Sequence, residues 1–161
     1  MEAAPEALLS GFSNHVICNQ LLVQAVVPGM KQAGYGRIVN IISTSVIQPI
    51  RGLGVSNTTR GAVANWGRTM AAELGPFGIT VNNVLPGYTA TGRLKSLQKK
   101  TSERLGISEA EVEKQWLASI PMGRLADASE IAAVVGFLAS PGASYVSGVN
   151  LPIDGARTAV Q

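Results

Sequence analysis

Gly36-Arg37-Ile38-Val39-Asn40-Ile41-Ile42-Ser43 is the stretch on which the fold turns. After Arg37 the run is aliphatic and β-branched, interrupted only by Asn40 and ended by Ser43. It is too short for a core helix and too evenly apolar for a strand with one wet face. A strand covered on both faces, as in a parallel sheet, is therefore expected. Before it, residues 12–32 read as a helix whose broad apolar face is expected from Val16, Leu21, Leu22, Ala25, Val26 and Met30, ended by Ala33-Gly34-Tyr35-Gly36. After it comes a loop with Pro49, Gly52 and Gly54.

Further along, Val55 to Leu74 reads as a helix stopped by Gly75-Pro76. Gly61, Ala64, Gly67 and Ala71 set small residues along it, which would let another helix approach closely. Ile79-Thr80-Val81-Asn82-Asn83-Val84-Leu85 is a second strand, ended by Pro86-Gly87. Residues 92–120 are the most polar stretch, a lid-like insert in which Ser108-Glu109-Ala110-Glu111 marks a capping box. Asp127 and Glu130 open a helix with Ile131, Val134, Val135 and Leu138 at helical spacing, closed by Pro141-Gly142. Val146 to Ile153 reads as a last strand, ending at Asp154-Gly155. Alternating helices and strands of this kind predict an α/β domain built on a parallel sheet.

Composition excludes several classes. The 161 residues are 46% hydrophobic and 14% charged, which suits a single packed domain rather than a disordered chain. A net charge of +3 is too small to point to nucleic acid. Cys18 is the single cysteine, so no internal disulfide forms, and no metal-ligand spacing surrounds it. The longest apolar region, Val16 to Met30, carries Asn19, Gln20 and Gln24, and so reads as a buried or interface helix rather than a membrane span. An acidic N-terminus unlike a signal peptide adds to the expectation of a cytoplasmic protein.

Taken in order, these segments resemble the short-chain dehydrogenase/reductase family over residues 12–158. Gly36 to Ser43 is similar to the family's fifth strand with its active-site serine. Ile79 to Gly87 is similar to the sixth strand and its Pro-Gly turn, with Thr91 at the cofactor-contacting threonine. Ile120-Pro121-Met122-Gly123-Arg124, Glu130-Ile131-Ala132, Phe137-Leu138-Ala139-Ser140 and Ser147-Gly148 through Asp154-Gly155 are similar to its C-terminal segment. The resemblance implies the C-terminal part of a doubly wound, Rossmann-like parallel sheet with helices on its faces. It also implies hydride transfer between NAD or NADP and a small carbonyl or alcohol substrate.

In that family a Tyr moves the proton, a Lys four residues on holds the ribose and lowers the Tyr pKa, and a Ser steadies the substrate oxygen. Residues i and i+4 share a helix face, so both reach one pocket. Ser43 matches the serine. Ungapped counting puts Ser56 at the Tyr position and Arg60 at the Lys position. An aliphatic hydroxyl is a far weaker acid than a phenol of pKa ~10, so the usual relay is expected to be broken. Arg60 can still bond a ribose, though Arg and Lys are not interchangeable. The family's helix Asn aligns with His15, beside Asn14; His15 is either a substitute proton donor or a hydrogen-bonded structural histidine. Tyr88 is a second conceivable donor or a pocket wall. Pro86, Gly87, Thr91 and Arg60 are the cofactor candidates, and Ser43, Ser56, Arg60 and His15 the catalytic ones, with no metal. Ser43 also reads as a strand-end cap, and Arg60 as a solvated charge. Lys95, Lys99, Lys100 and Arg104 make the insert basic, either toward anionic substrates or as a solvated face. Trp66 and Trp116 read as packing residues.

The Gly-rich turn that meets a dinucleotide's pyrophosphate in this family has no counterpart in these residues. The chain is therefore expected to be a piece of a longer protein, from a truncated gene, a misplaced start or a deliberate cut. Measurable NAD(P)H binding by these residues alone is not expected. Residues 38–42 would form an open apolar edge, and one sheet face would lack helices, an exposure that favours a homo-oligomer through helices 16–30 and 55–74. A non-catalytic, self-associating scaffold is the alternative to the oxidoreductase reading.

Overall fold

A computed structural model describes residues 3–159. Helix α1 (Pro5–Phe12) passes through a π turn (Ser13–Ile17) into α2 (Cys18–Ala33), followed by strand β1 (Gly36–Ile41), helix α3 (Gly54–Leu74) and strand β2 (Ile79–Pro86). Helices α4 (Gly92–Leu105) and α5 (Glu109–Ala118) make up the polar stretch; α6 (Ala128–Ala139) and β3 (Asn150–Ile153) follow. The strands form one parallel sheet in the order β1-β2-β3, with Asn40 opposite Asn83 and Asn83 opposite Asn150. The expected α/β architecture is present, and the helix before β1 begins seven residues earlier than its pattern suggested.

Strand alternation divides the core into two layers. On one face, Ile79, Val81 and Leu85 meet Val63, Ala64, Ala71 and Leu74 of α3, with Val16, Val27 and Met30 beside them. On the other, Val84 packs with Ile131, Leu138 and Ala143, joined by Val39, Leu151 and Ile153. Helix α6 thus covers the face expected to be bare. β1 borders only β2 and so is the open edge that was expected, while Ile41, 47% exposed, shows that the strand is not covered on both faces along its whole length.

Other expectations need correction. The inward stripe of α2 is Val23, Val27 and Met30, whereas Leu21, Leu22, Ala25 and Val26 are exposed. When most of a helix is apolar, periodicity does not say which side a sheet will take. Ala64, Gly67 and Ala71 of α3 receive the sheet rather than another helix, while Gly61 faces open space: a Cβ on Gly67 would lie 2.7 Å from Asn83 Oδ1. Close helix approach uses Gly11 instead, whose Cβ would meet Thr59 and Val55. Gly75 keeps right-handed geometry and runs on into a tight Gly75–Phe77 turn; the left-handed residue is Gly78, at φ 72°. Gly34, at φ 62°, ends α2 as expected, with the Gly34 and Tyr35 amides donating to Lys31 and Met30 carbonyls.

Residues 146–149 are not strand. Asn82 holds this segment, its Nδ2 donating to the Val146 carbonyl at 2.8 Å and its Oδ1 accepting from Val149 N, while Val81 N donates to Ser147 Oγ. Ser108 caps α5 by accepting from Glu111 N. The reciprocal box is formed at α6, where Asp127 takes the Ser129 amide and Glu130 reaches back to the Asp127 amide.

Candidate functional site

The strands' carboxyl ends open into one cavity of about 720 Å³. This is where a parallel α/β sheet places its ligands, because the loops leaving adjacent strands diverge there. Ile41, Ile42 and Ser43 enter it from β1, Pro86, Gly87 and Tyr88 from β2, and Arg157 from beyond β3. Ser56 and Arg60 descend from α3, Thr91, Arg93, Leu94 and Leu97 from the start of α4, and Ile131 and Val135 from α6.

Six of the seven candidate residues therefore share one cavity: Ser43, Ser56, Arg60, Pro86, Gly87 and Thr91. Ser43 is both lining residue and local cap, its Oγ accepting from Ser45 N at 3.1 Å. Arg60 is half-buried and donates from Nη1 to the Ile41 carbonyl at 3.2 Å. Burial, and then the charge of Arg93, holds the Arg60 guanidinium below its usual range. Thr91 Oγ1 caps α4 by accepting from Leu94 N. At Gly87 the amide donates to the Ile153 carbonyl, and a Cβ would come 2.7 Å from Asp154 Cβ, so only glycine lets β3 end this close.

His15 stands apart. It lies in the π turn, half-buried, and is not a lining residue; burial first and the nearby Arg60 charge second lower its pKa. Tyr88 is a wall. Its ring stacks on Trp116 with centroids 4.8 Å apart and 14° between planes, Arg157 lies over it at 5.1 Å, and burial pushes its phenol upward, more than Arg157 pulls it down. Trp116 thereby fastens α5 to the cavity rim. Trp66 donates to Gln20 Oε1 at 2.9 Å, joining α3 to α2.

Sequence reasoning missed Arg93 and Arg157. Lys95, Lys99, Lys100 and Arg104 are exposed and do not line the cavity, whereas Arg93, itself exposed, lines it together with Leu94 and Leu97. The spacing 93, 94, 97 was the available signal.

A parallel sheet flanked by helices, with its cavity at the strands' carboxyl ends, defines a Rossmann-like α/β protein. A family described as Enoyl-(Acyl carrier protein) reductase matches residues 3–157. The short-chain reductase protein NovJ of Streptomyces niveus is 40% identical over 131 residues, 80% of this chain and 47% of NovJ. The 3-oxoacyl-[acyl-carrier-protein] reductase FabG of Pseudomonas aeruginosa is 40% identical over 136 residues, 83% of this chain and 50% of FabG. The crystal structure of YwfH, an NADPH-dependent reductase involved in bacilysin biosynthesis, superposes with a TM-score of 0.90 at 28% identity, over 97% of this chain and 60% of YwfH. The chain belongs to the short-chain dehydrogenase/reductase family. It spans about half the length of the curated relatives it matches.

Proposed function

We propose that the cavity is the carbonyl- or alcohol-holding side of a nicotinamide-dependent oxidoreductase site. Convergence carries this reading: Ser43, Ser56 and Arg60 line one cavity with Pro86, Gly87 and Thr91, beyond the strand ends. A nicotinamide dinucleotide, NAD or NADP, would supply or take the hydride; YwfH is described as NADPH-dependent. Pro86, Gly87, Thr91 and Arg60 would hold that group. Arg157 adds an unused donor, since its Nε is buried without a protein partner.

The residues divide the remaining work. Because Ser43 Oγ accepts from Ser45 N, its own proton is free to bond a substrate oxygen. Ser56 lies one helical turn before Arg60, on the same face. Reduction delivers a hydride to the carbonyl carbon and a proton to its oxygen. Arg60 does not release a proton near neutral pH, so the proton reaches the oxygen through water or the Ser56 hydroxyl, a slow route beside a phenol.

The 161 residues alone are expected to hold a dinucleotide too weakly to measure. The test is a fusion carrying the Gly-rich β/α units of FabG ahead of this chain, followed by nicotinamide absorbance with a panel of small ketones. Saturable NADPH binding is expected, with turnover rising at least tenfold in the Ser56→Tyr/Arg60→Lys double variant. A fusion that binds NADPH yet transfers no hydride, even with that pair restored, would overturn the reading.

Self-association is the second reading, favoured by one observation. Leu8, Phe12, Ile17, Leu21, Leu22 and Val26 form an exposed apolar stripe along α1 and α2, stepping by five residues across the π turn. A stripe of this kind marks a contact surface between copies. The outward positions of α3, among them Thr58, Asn65, Arg68 and Thr69, are polar and would form the rim.

A further inference from the structure

Three arginines line the cavity, Arg60, Arg93 and Arg157, and no Asp or Glu lines it with them. Among the described residues the one ion pair is Arg124–Glu130, which lies outside this cavity. The rest of the wall is largely aliphatic: Ile50 and Leu53 on one side, Leu94 and Leu97 on the other. Burial first, and the charge of Arg93 second, lower the pKa of the Arg60 guanidinium. A concave site of one sign raises the local concentration of the opposite ion and selects ligands that carry it.

We infer that the substrate carries a carboxylate on a small apolar skeleton, and that Arg93 is the residue that recognises it. This rests on the cavity being the substrate side of an oxidoreductase site. The anion belongs to the substrate rather than to a dinucleotide for a chemical reason. Arg93 lines the same cavity as Arg60, Ser56 and Ser43, so an anion held by Arg93 shares that cavity with the reacting hydroxyls. A nicotinamide held there would keep its diphosphate a ribose away from its reacting ring. Arg93 enters from the first turn of α4 beside Leu94 and Leu97, so charge and apolar contact come from one helix face.

The test needs no dinucleotide, so its outcome is separate from that of the fusion assay. The 161-residue chain is titrated with cyclohexanecarboxylate, with cyclohexanecarboxamide and with inorganic pyrophosphate, followed by amide resonances of the cavity residues. The carboxylate is expected to bind at least tenfold tighter than the amide. Arg93→Met should abolish that preference with the spectrum otherwise intact, and Arg93→Lys should restore part of it. Equal affinity for carboxylate and amide overturns the inference, as does a preference that survives Arg93→Met. Pyrophosphate binding that depends on Arg93, without a carboxylate preference, also overturns it and assigns the charge to a cofactor phosphate.

Discussion

Asn40 Nδ2 donates a 2.9 Å hydrogen bond to Asn83 Oδ1, side chain to side chain across β1 and β2, where both residues are buried. Asn83 extends the line: its Nδ2 donates to Asn150 Oδ1 on β3 at 2.8 Å and to the Ala64 carbonyl of α3 at 3.1 Å. One amide in each strand thus forms a ladder across the whole sheet, fixed by the register that sets 40, 83 and 150 side by side. A register slip of one residue would send these amides to the opposite face.

Asn83→Leu should be strongly destabilising, because it strands the Asn40 donor and the Asn150 and Ala64 acceptors in a dry layer. At roughly 1–3 kcal/mol for each buried group left unsatisfied, a loss of about 3 kcal/mol is expected. Denaturant unfolding measures it. A loss below about 1 kcal/mol would mean that water replaces the ladder.

Gly67→Ala sets two effects against each other. Alanine gains about 1 kcal/mol of helix propensity over glycine, but its Cβ would lie 2.7 Å from Asn83 Oδ1 and 3.0 Å from Asn40 Nδ2. Those atoms are held by the ladder and cannot yield freely, so overpacking of about 1–3 kcal/mol wins. Gly61→Ala, with open space at its Cβ, should stabilise instead, and thermal melts of the two variants should move in opposite directions.

Two carboxylates carry pH dependence at the start of α6: Asp127, lowered by its bonds from Ser129, and Glu130. Two bonds from Arg124 and one from the Asp127 amide lower the Glu130 pKa from 4.5 to about 2. Its folded value lies below its unfolded one, so its contribution is full above about pH 5 and is lost as pH falls toward 2. Arg124→Met should return the Glu130 carboxyl toward its ordinary value in a carbon-detected titration. An unchanged midpoint would leave the helix amide as the sole cause.

The stripe on α1 and α2 should govern association. In sedimentation velocity, Leu21→Lys/Leu22→Gln is expected to shift the chain toward monomer while keeping its fold, because both side chains are about 60% exposed and leave the core untouched. A wild-type chain that is already monomeric at high concentration would end the self-association reading.

Much of this was legible in order and type along the chain. Ile38, Val39, Ile41 and Ile42 demanded a strand wherever they lay, Gly34 demanded a helix end, and Asp127 with Glu130 demanded a helix start, because these signals act within a few residues of backbone. Ser43, Ser56 and Arg60 could be named as a set through family resemblance. What only the tertiary structure decided was direction. It turned Val23 and Val27 inward and Leu21 and Leu22 outward, gave the small face of α3 to the sheet, left His15 outside the cavity and brought Arg93 into it. It also left Ile41 half exposed at the edge of a strand that had read as sealed. Helical and strand periods say which residues share a face; only the packing of one element on another selects the face that is buried.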